Sequence, residues 1–234
     1  MTNYVLIHNP MFGPSQWMPT AEVLAKRGHN IALPALGPVL AGEGPYYEKL
    51  GQTIADTARD MKDGVVIVGL NAGATLTGVA AGAAKVPVRA VIFCESILPH
   101  PNRSWFATVP AEVRSGFVAA ATNGRVPKSH EWSEEFPAEL RQRVGNDAIY
   151  NALLKEMVAV PIAYFDEVAP ANEPFRGMRI GYLQLSNLSK EHYDNAVWMK
   201  WKTRQELSTH EFPTVTNAEK VAAALEALTK DVLA

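Results

Sequence analysis

Four short apolar runs, at residues 4–7, 31–33, 65–68 and 88–94, alternate along the first hundred residues with segments whose apolar positions recur at helical spacing. That alternation restricts the chain to βαβ units around a parallel sheet. Trp17, Ala21, Leu24 and Ala25 lie on one helical face before Gly28 stops the pattern, and a Gly/Pro-rich loop over residues 37–45 leads into a helix over 46–61. The β-branched run at 65–68 ends at Gly69, and an Ala/Gly-rich helix over 72–84 follows. Between residues 99 and 174 the pattern changes to helices without strands, at 110–121, 137–144 and 148–158, which reads as an insertion over one sheet edge. A strand at 180–185, further alternation through 198–206 and an Ala/Leu-rich helix over 217–233 close the chain. The expected fold class is α/β, a mostly parallel doubly wound sheet with an inserted helical cap.

With 234 residues, 47% apolar and 20% charged, the chain has the composition of one globular domain, so disorder, collagen repeats and coiled coil are set aside. A single cysteine, Cys94, rules out an intrachain disulfide and any cysteine-cluster metal site, and fits a reducing compartment. No leader pattern opens the sequence and no apolar run nears the roughly 20 residues of a membrane span, so a cytoplasmic location is expected. The formal charge of −2 comes without a basic stretch interleaved with aromatics; neither nucleic acid nor a membrane is an expected partner. The expectation is a small-molecule substrate, with no cofactor and no metal; a homodimer is left open.

Parallel doubly wound sheets place ligands at the carboxyl ends of their strands. Four such ends carry chemistry: His8-Asn9-Pro10, Gly69-Leu-Asn71-Ala72-Gly73, Cys94-Glu95-Ser96 and Thr209-His210-Glu211. With Gly13, Trp17, Arg27-Gly-His29, Ile97-Leu-Pro99 and Asn217-Ala-Glu-Lys-Val221 added, the chain resembles the α/β-hydrolases over nearly its whole length. Within that superfamily it is most similar to the small hydroxynitrile lyase and methylesterase group. The resemblance implies a core of residues 1–98 and 175–234 and a helical cap of residues 99–174.

The departures from the family pattern carry the functional argument. The family's nucleophile elbow is G-x-S-x-G; here Asn71 stands between Gly69 and Gly73. A carboxamide has no alcohol for a base to deprotonate and its nitrogen lone pair is delocalised, so an acyl-enzyme at this position is not expected. Asn71 is either a polar contact for a substrate oxygen or a turn former, since Asn tolerates positive φ. Asn9 stands where most of the superfamily has Gly. In some hydroxynitrile lyases of this fold the same His-Asn pair implies that the Asn holds the substrate oxygen; a simple cap on the loop before Pro10 is the other reading. The resemblance makes His210 the general base, with a pKa range suited to proton transfer, and makes His8 structural.

No carboxylate occupies the usual acid position after residue 185, and Asp194 comes several residues too late. Glu95 is the replacement by analogy with some haloalkane dehalogenases of this fold. It pairs with His210, faces the ligand cavity or lies at the surface, and burying it alone would be costly. His29 reads as structural; His100, His130 and His192 fall in expected loops without a nameable partner. Pro10 and Ala72 are expected substrate contacts, with Trp105, Trp132 and Tyr164 from the cap; Phe106, Phe117, Tyr150, Met157 and Phe165 are further lining candidates for an apolar pocket. Three functions follow: a non-hydrolytic lyase, cyclase, dehydratase or isomerase working by proton transfer on a carbonyl or hydroxy compound; an inactive small-molecule-binding pseudo-hydrolase; and a hydrolase using a His-activated water.

Overall fold

Strands β1 (Asn3–Ile7), β2 (Asn30–Ala32), β3 (Val65–Leu70), β4 (Val88–Cys94), β7 (Ile180–Gln184) and β8 (Lys202–Gln205) form one sheet in the order β2-β1-β3-β4-β7-β8, every neighbouring pair parallel. The computed structural model describes residues 1–131, 135–171, 175–207 and 212–234. The central strands are apolar along their buried stretches because both of their faces are covered, with Asn3, Arg89 and Gln184 falling at or near strand ends. Val5, Ile7, Ile67, Val91 and Phe93 pack toward Leu50 and Ile54 of helix α3 (Tyr46–Thr57) and Ala80 of α4 (Thr77–Ala83). The alternate residues Tyr4, Leu6, Val66, Val68 and Ile92 pack toward Leu24 of α1 (Met18–Lys26) and Leu225 and Leu228 of the closing helix, Ala218–Leu233. The period of two along each strand produces this division. The edge strand β8 is short and carries Lys202 and Arg204, which discourages pairing with another chain.

The closing helix ties the chain's last residues to its first. Tyr4 Oη donates to Thr229 Oγ1 over 3.0 Å inside the core. His29 meets Glu226 through Nε2 at 2.8 Å while its Nδ1 accepts the Thr2 N–H, and Arg27 pairs with Glu219 and Glu226. His29 is thus a structural residue, as its place in the sequence suggests.

Residues 99–171 are not purely helical. Alongside helices α5 (Ala111–Ala120), α6 (Phe136–Val144), α7 (Asp147–Glu156) and α8 (Ile162–Asp166) they contain an antiparallel pair, β5 (Arg125–Val126) with β6 (Val160–Pro161). Strands of two residues have no periodicity to read, which is why the helix-only expectation fails. A further short helix, α2 (Gly37–Ala41), lies inside the expected Gly/Pro loop, with Pro38 in the first turn where its missing N–H costs nothing. Arg125 donates to the carbonyls of Leu40, Ala41 and Ala159, and Glu167 accepts the N–H groups of Tyr46 and Tyr47. These bonds fix the segment against α2 and α3. Helices α9 (Lys190–Trp198), α10 (Pro213–Thr216) and the closing α11 complete the chain.

Candidate active site

Sheet register aligns the ends of the central strands: Ile7 is opposite Gly69, Leu70 opposite Cys94, and Cys94 opposite Leu183. Neighbouring strands lie about 4.8 Å apart, so Asn9, Asn71, Glu95 and Ser186 share one rim. At the elbow the backbone turns sharply, from Leu70 at φ −97° to Asn71 at φ 51°. The positive φ falls on Asn71, not on the flanking glycines. Those are needed for close approach: a β-carbon on Gly69 would meet the Ala74 backbone and one on Gly73 the His8 backbone, both closer than 3.0 Å. A 3₁₀ turn, Asn71–Leu76, precedes α4, so the α-helix expected from residue 72 begins only at Thr77. Among the described residues the Asn71 side chain makes no hydrogen bond.

The first loop is held by its own polar groups. Asn9 N–H donates to Gln16 Oε1 at 2.9 Å, Met11 N–H donates to Asn9 Oδ1 at 2.9 Å, and the Asn9 carbonyl accepts Phe12 N–H at 2.9 Å. His8 Nδ1 meets the same carbonyl at 2.8 Å and Leu36 N–H reaches His8 Nε2 at 3.4 Å, which fixes Nδ1 as the protonated nitrogen. Burial pushes the His8 imidazole down to about 4, so it stays neutral and structural. Since Pro10 has no N–H, the loop at residues 9–11 keeps no main-chain donor for a ligand. What it keeps is Asn9 Nδ2. Loop cap and ligand donor are therefore compatible uses of the two ends of one side chain.

Glu95, at φ 46°, holds its carboxylate under the end of β7. Oε2 accepts Leu185 N–H at 2.6 Å, Ser186 N–H at 2.9 Å and Ser189 Oγ at 2.7 Å, while Oε1 accepts Ser186 Oγ. The surface reading of Glu95 is thereby overturned. The carboxylate is half-buried, bound by four donors, and lines the same cavity as Asn71. Asp194 lies on α9 and pairs with Lys190 at 2.6 Å, away from the site.

Two cavities meet at Asn9. The larger, about 520 Å³, is the more polar of the two and is lined by Asn9, Gln16, Asn71, Glu95, Ser186, Ser189 and His192, with Phe12, Leu188 and Phe212 among its apolar walls. The smaller, about 150 Å³, is aromatic and is lined by Pro10, Met11, Tyr47, Ala72, Trp105, Phe117, Tyr164 and Phe165. Of the residues expected at the ligand, Pro10, Ala72, Trp105 and Tyr164 come together here. Trp105, Phe117 and Phe165 meet in tilted and edge-to-face contacts with ring centres 5.1–5.2 Å apart, and Tyr47 stacks on Tyr164 at 5.9 Å. Burial raises the phenols of Tyr47, to about 12, and of Tyr164, so both stay protonated; Tyr47 Oη meets His100 Nε2 at 3.1 Å.

Other lining expectations are corrected. Met157 is buried with Leu140 and Leu153, and Tyr150 stacks beneath Arg141; neither lines either cavity, and Phe106 packs behind Trp105. His130 contacts Met157 Sδ at 3.3 Å. His192 lies on α9 rather than in a loop and lines the polar cavity, its pKa lowered by desolvation. His210 and Trp132 lie outside the described residues; Phe212, which the structure does describe, lines the polar cavity. Gln16 and His192 were not foreseen at the site. Nothing in the sequence marked either one: the burial of Gln16 and its bond to Asn9 N–H are visible only in the structure.

No group of three or more His, Cys, Asp or Glu among the described residues could hold a metal ion, and no described helix is long and apolar enough to cross a membrane. No family model matches the sequence, and no curated protein matches it. Solved structures do match. An extracellular α/β-hydrolase from a Paenibacillus species, described as sharing structural and functional homology with tobacco salicylic acid binding protein 2, superimposes with a TM-score of 0.72 at 18% identity, over 97% of this chain and 99% of its own. Tomato methylketone synthase I bound to 2-tridecanone gives 0.70 at 14% identity, over 99% and 98%. A polyneuridine aldehyde esterase variant gives 0.64 at 13% identity, over 98% of each chain. The chain has the α/β-hydrolase fold, shared with esterases and with a ketone-forming synthase.

Proposed function

We propose that this chain is a non-hydrolytic enzyme of the lyase, cyclase, dehydratase or isomerase kind, acting by proton transfer on a small carbonyl or hydroxy compound without an acyl-enzyme. The observation that carries the reading is the carboxamide of Asn71 at the tip of the elbow, without a hydrogen-bond partner among the described residues, lining a cavity that Asn9 also lines. Where the fold's esterases need a hydroxyl, this chain offers N–H donors. Two such donors hold a substrate oxygen while negative charge develops on it. His210 takes the proton from a hydroxyl or from the carbon next to the carbonyl and returns it to the leaving fragment or product. Glu95 is the carboxylate available to orient it.

The hydrolytic alternative is disfavoured by the first loop, whose N–H groups at Asn9 and Met11 are already bonded to side chains. Among the described residues lining the two cavities there is no Lys or Arg, and Glu95 is the one carboxylate. An uncharged substrate suits that field. The aromatic cavity of about 150 Å³ matches the space taken by one ring or a short alkyl group. A precedent for chemistry other than ester cleavage on this fold is the tomato synthase bound to its ketone.

The test pairs covalent labelling with turnover. Intact-mass analysis after a fluorophosphonate should show no adduct, while a panel of cyanohydrins and hydroxyketones should yield carbonyl products. A stoichiometric adduct in the cavity, or binding of every panel member without product, would overturn the reading.

A further inference from the structure

Gln16 is 2% exposed and half of its amide is in use. Its Oε1 accepts Asn9 N–H over 2.9 Å, which fixes the oxygen and directs Nε2 the other way. Among the described residues Nε2 has no hydrogen-bond partner, and it is not one of the buried atoms that are sealed off unpaired. Gln16 lines the polar cavity beside Asn9. Leaving a buried amide N–H₂ without a partner is unfavourable unless a ligand or water supplies one.

We infer that Gln16 is a ligand donor that substitutes for the main-chain N–H it removes. With Oε1 it captures the Asn9 N–H; with Nε2, beside Asn9 Nδ2, it presents a side-chain pair to the ligand's oxygen. The first loop thus exchanges a rigid main-chain donor for two carboxamides. The geometry selects a carbonyl or hydroxyl oxygen with two lone pairs exposed, on an otherwise apolar molecule whose remainder fills the aromatic cavity. This inference rests on the reading that the cavity binds a carbonyl compound; it requires no turnover.

Gln16→Glu tests it, because the carboxylate still accepts Asn9 N–H but can no longer donate. Gln16→Met is the neutral companion, similar in shape and lacking both functions. The probe is acetophenone labelled with ¹³C at the carbonyl, its affinity read by calorimetry and its bound C=O stretch by infrared difference spectroscopy. In the wild type the stretch should lie below its value in an apolar solvent. In both variants part of that shift should disappear and Kd should rise about tenfold, as expected for one lost hydrogen bond, while Gln16→Glu melts within a few degrees of wild type. If the wild type shows the shift and both variants reproduce it with unchanged Kd, the Gln16 assignment is wrong and the carbonyl reading stands. If the wild type does not bind acetophenone, the carbonyl reading fails and takes the assignment with it. Should Gln16→Glu not fold, Gln16→Met reads the same stretch and decides.

Discussion

The carbonyl oxygen of His8 occupies the space that a β-carbon on Gly73 would need, so the elbow and the first loop touch backbone to backbone. Gly73→Ala should therefore destabilise the protein by about 1–3 kcal/mol or more, since neither partner is a side chain that can swing aside. Gly116→Ala, in α5 where an added methyl meets nothing within 4 Å, should stabilise by about 0.5–1 kcal/mol. Calorimetric melting of the two variants checks the contrast; equal melting temperatures would show that the loop yields.

Asn9 and Asn71 should behave as one unit. If both donate to the same substrate oxygen, each change to Ala should lower turnover about tenfold or more, and the double variant should lose less than the sum. Asn9→Asp refines the experiment. It preserves an acceptor for Met11 N–H and deletes the donor, so it should retain stability while losing activity. Turnover and affinity at wild-type level in both single Ala variants would reduce the two residues to turn formers.

His210→Ala should lower kcat by roughly two to four decades with little effect on melting. Glu95→Gln should lose less activity and more stability, about 1–3 kcal/mol, because its carboxamide nitrogen would face donors that now converge on a carboxylate. Full activity in the His210 variant would end its role in proton transfer.

The sheet was legible because strands covered on both faces have to be apolar at every position, as in residues 65–68, and its rim followed from the strand order. The short strands β5 and β6 escaped notice for the opposite reason: two residues cannot display a period. At the site, Asn71 and Glu95 announced themselves as polar groups at strand ends. Gln16 did not, since one polar residue within a helical pattern ordinarily points to solvent, and only the bond from Asn9 N–H shows that it turns inward. His192 was equally silent, because its place depends on how α9 lies across the end of β7.

Acid should weaken the fold through His8. The folded protein holds this imidazole neutral down to about 4, whereas the unfolded chain protonates it near 6.5. Between those values the unfolded state binds more protons, so stability falls as pH drops from about 6.5 to about 4, by on the order of 3 kcal/mol from this residue. Urea midpoints for the wild type and His8→Gln across that window isolate the contribution. An NMR titration showing His8 protonated above pH 6 would refute it.

The bond between Tyr4 and Thr229 spans nearly the whole chain. During synthesis β1, β3 and β4 leave the ribosome well before the helix that covers the face holding Tyr4, Leu6 and Val68. At about 5–20 residues per second that face waits roughly 8 to 30 s for its lid. Until then the nascent sheet has only α1 on that face and leaves the rest of its aliphatic surface open to everything around it, and early termination within the last helix would leave a chaperone client rather than a shorter protein.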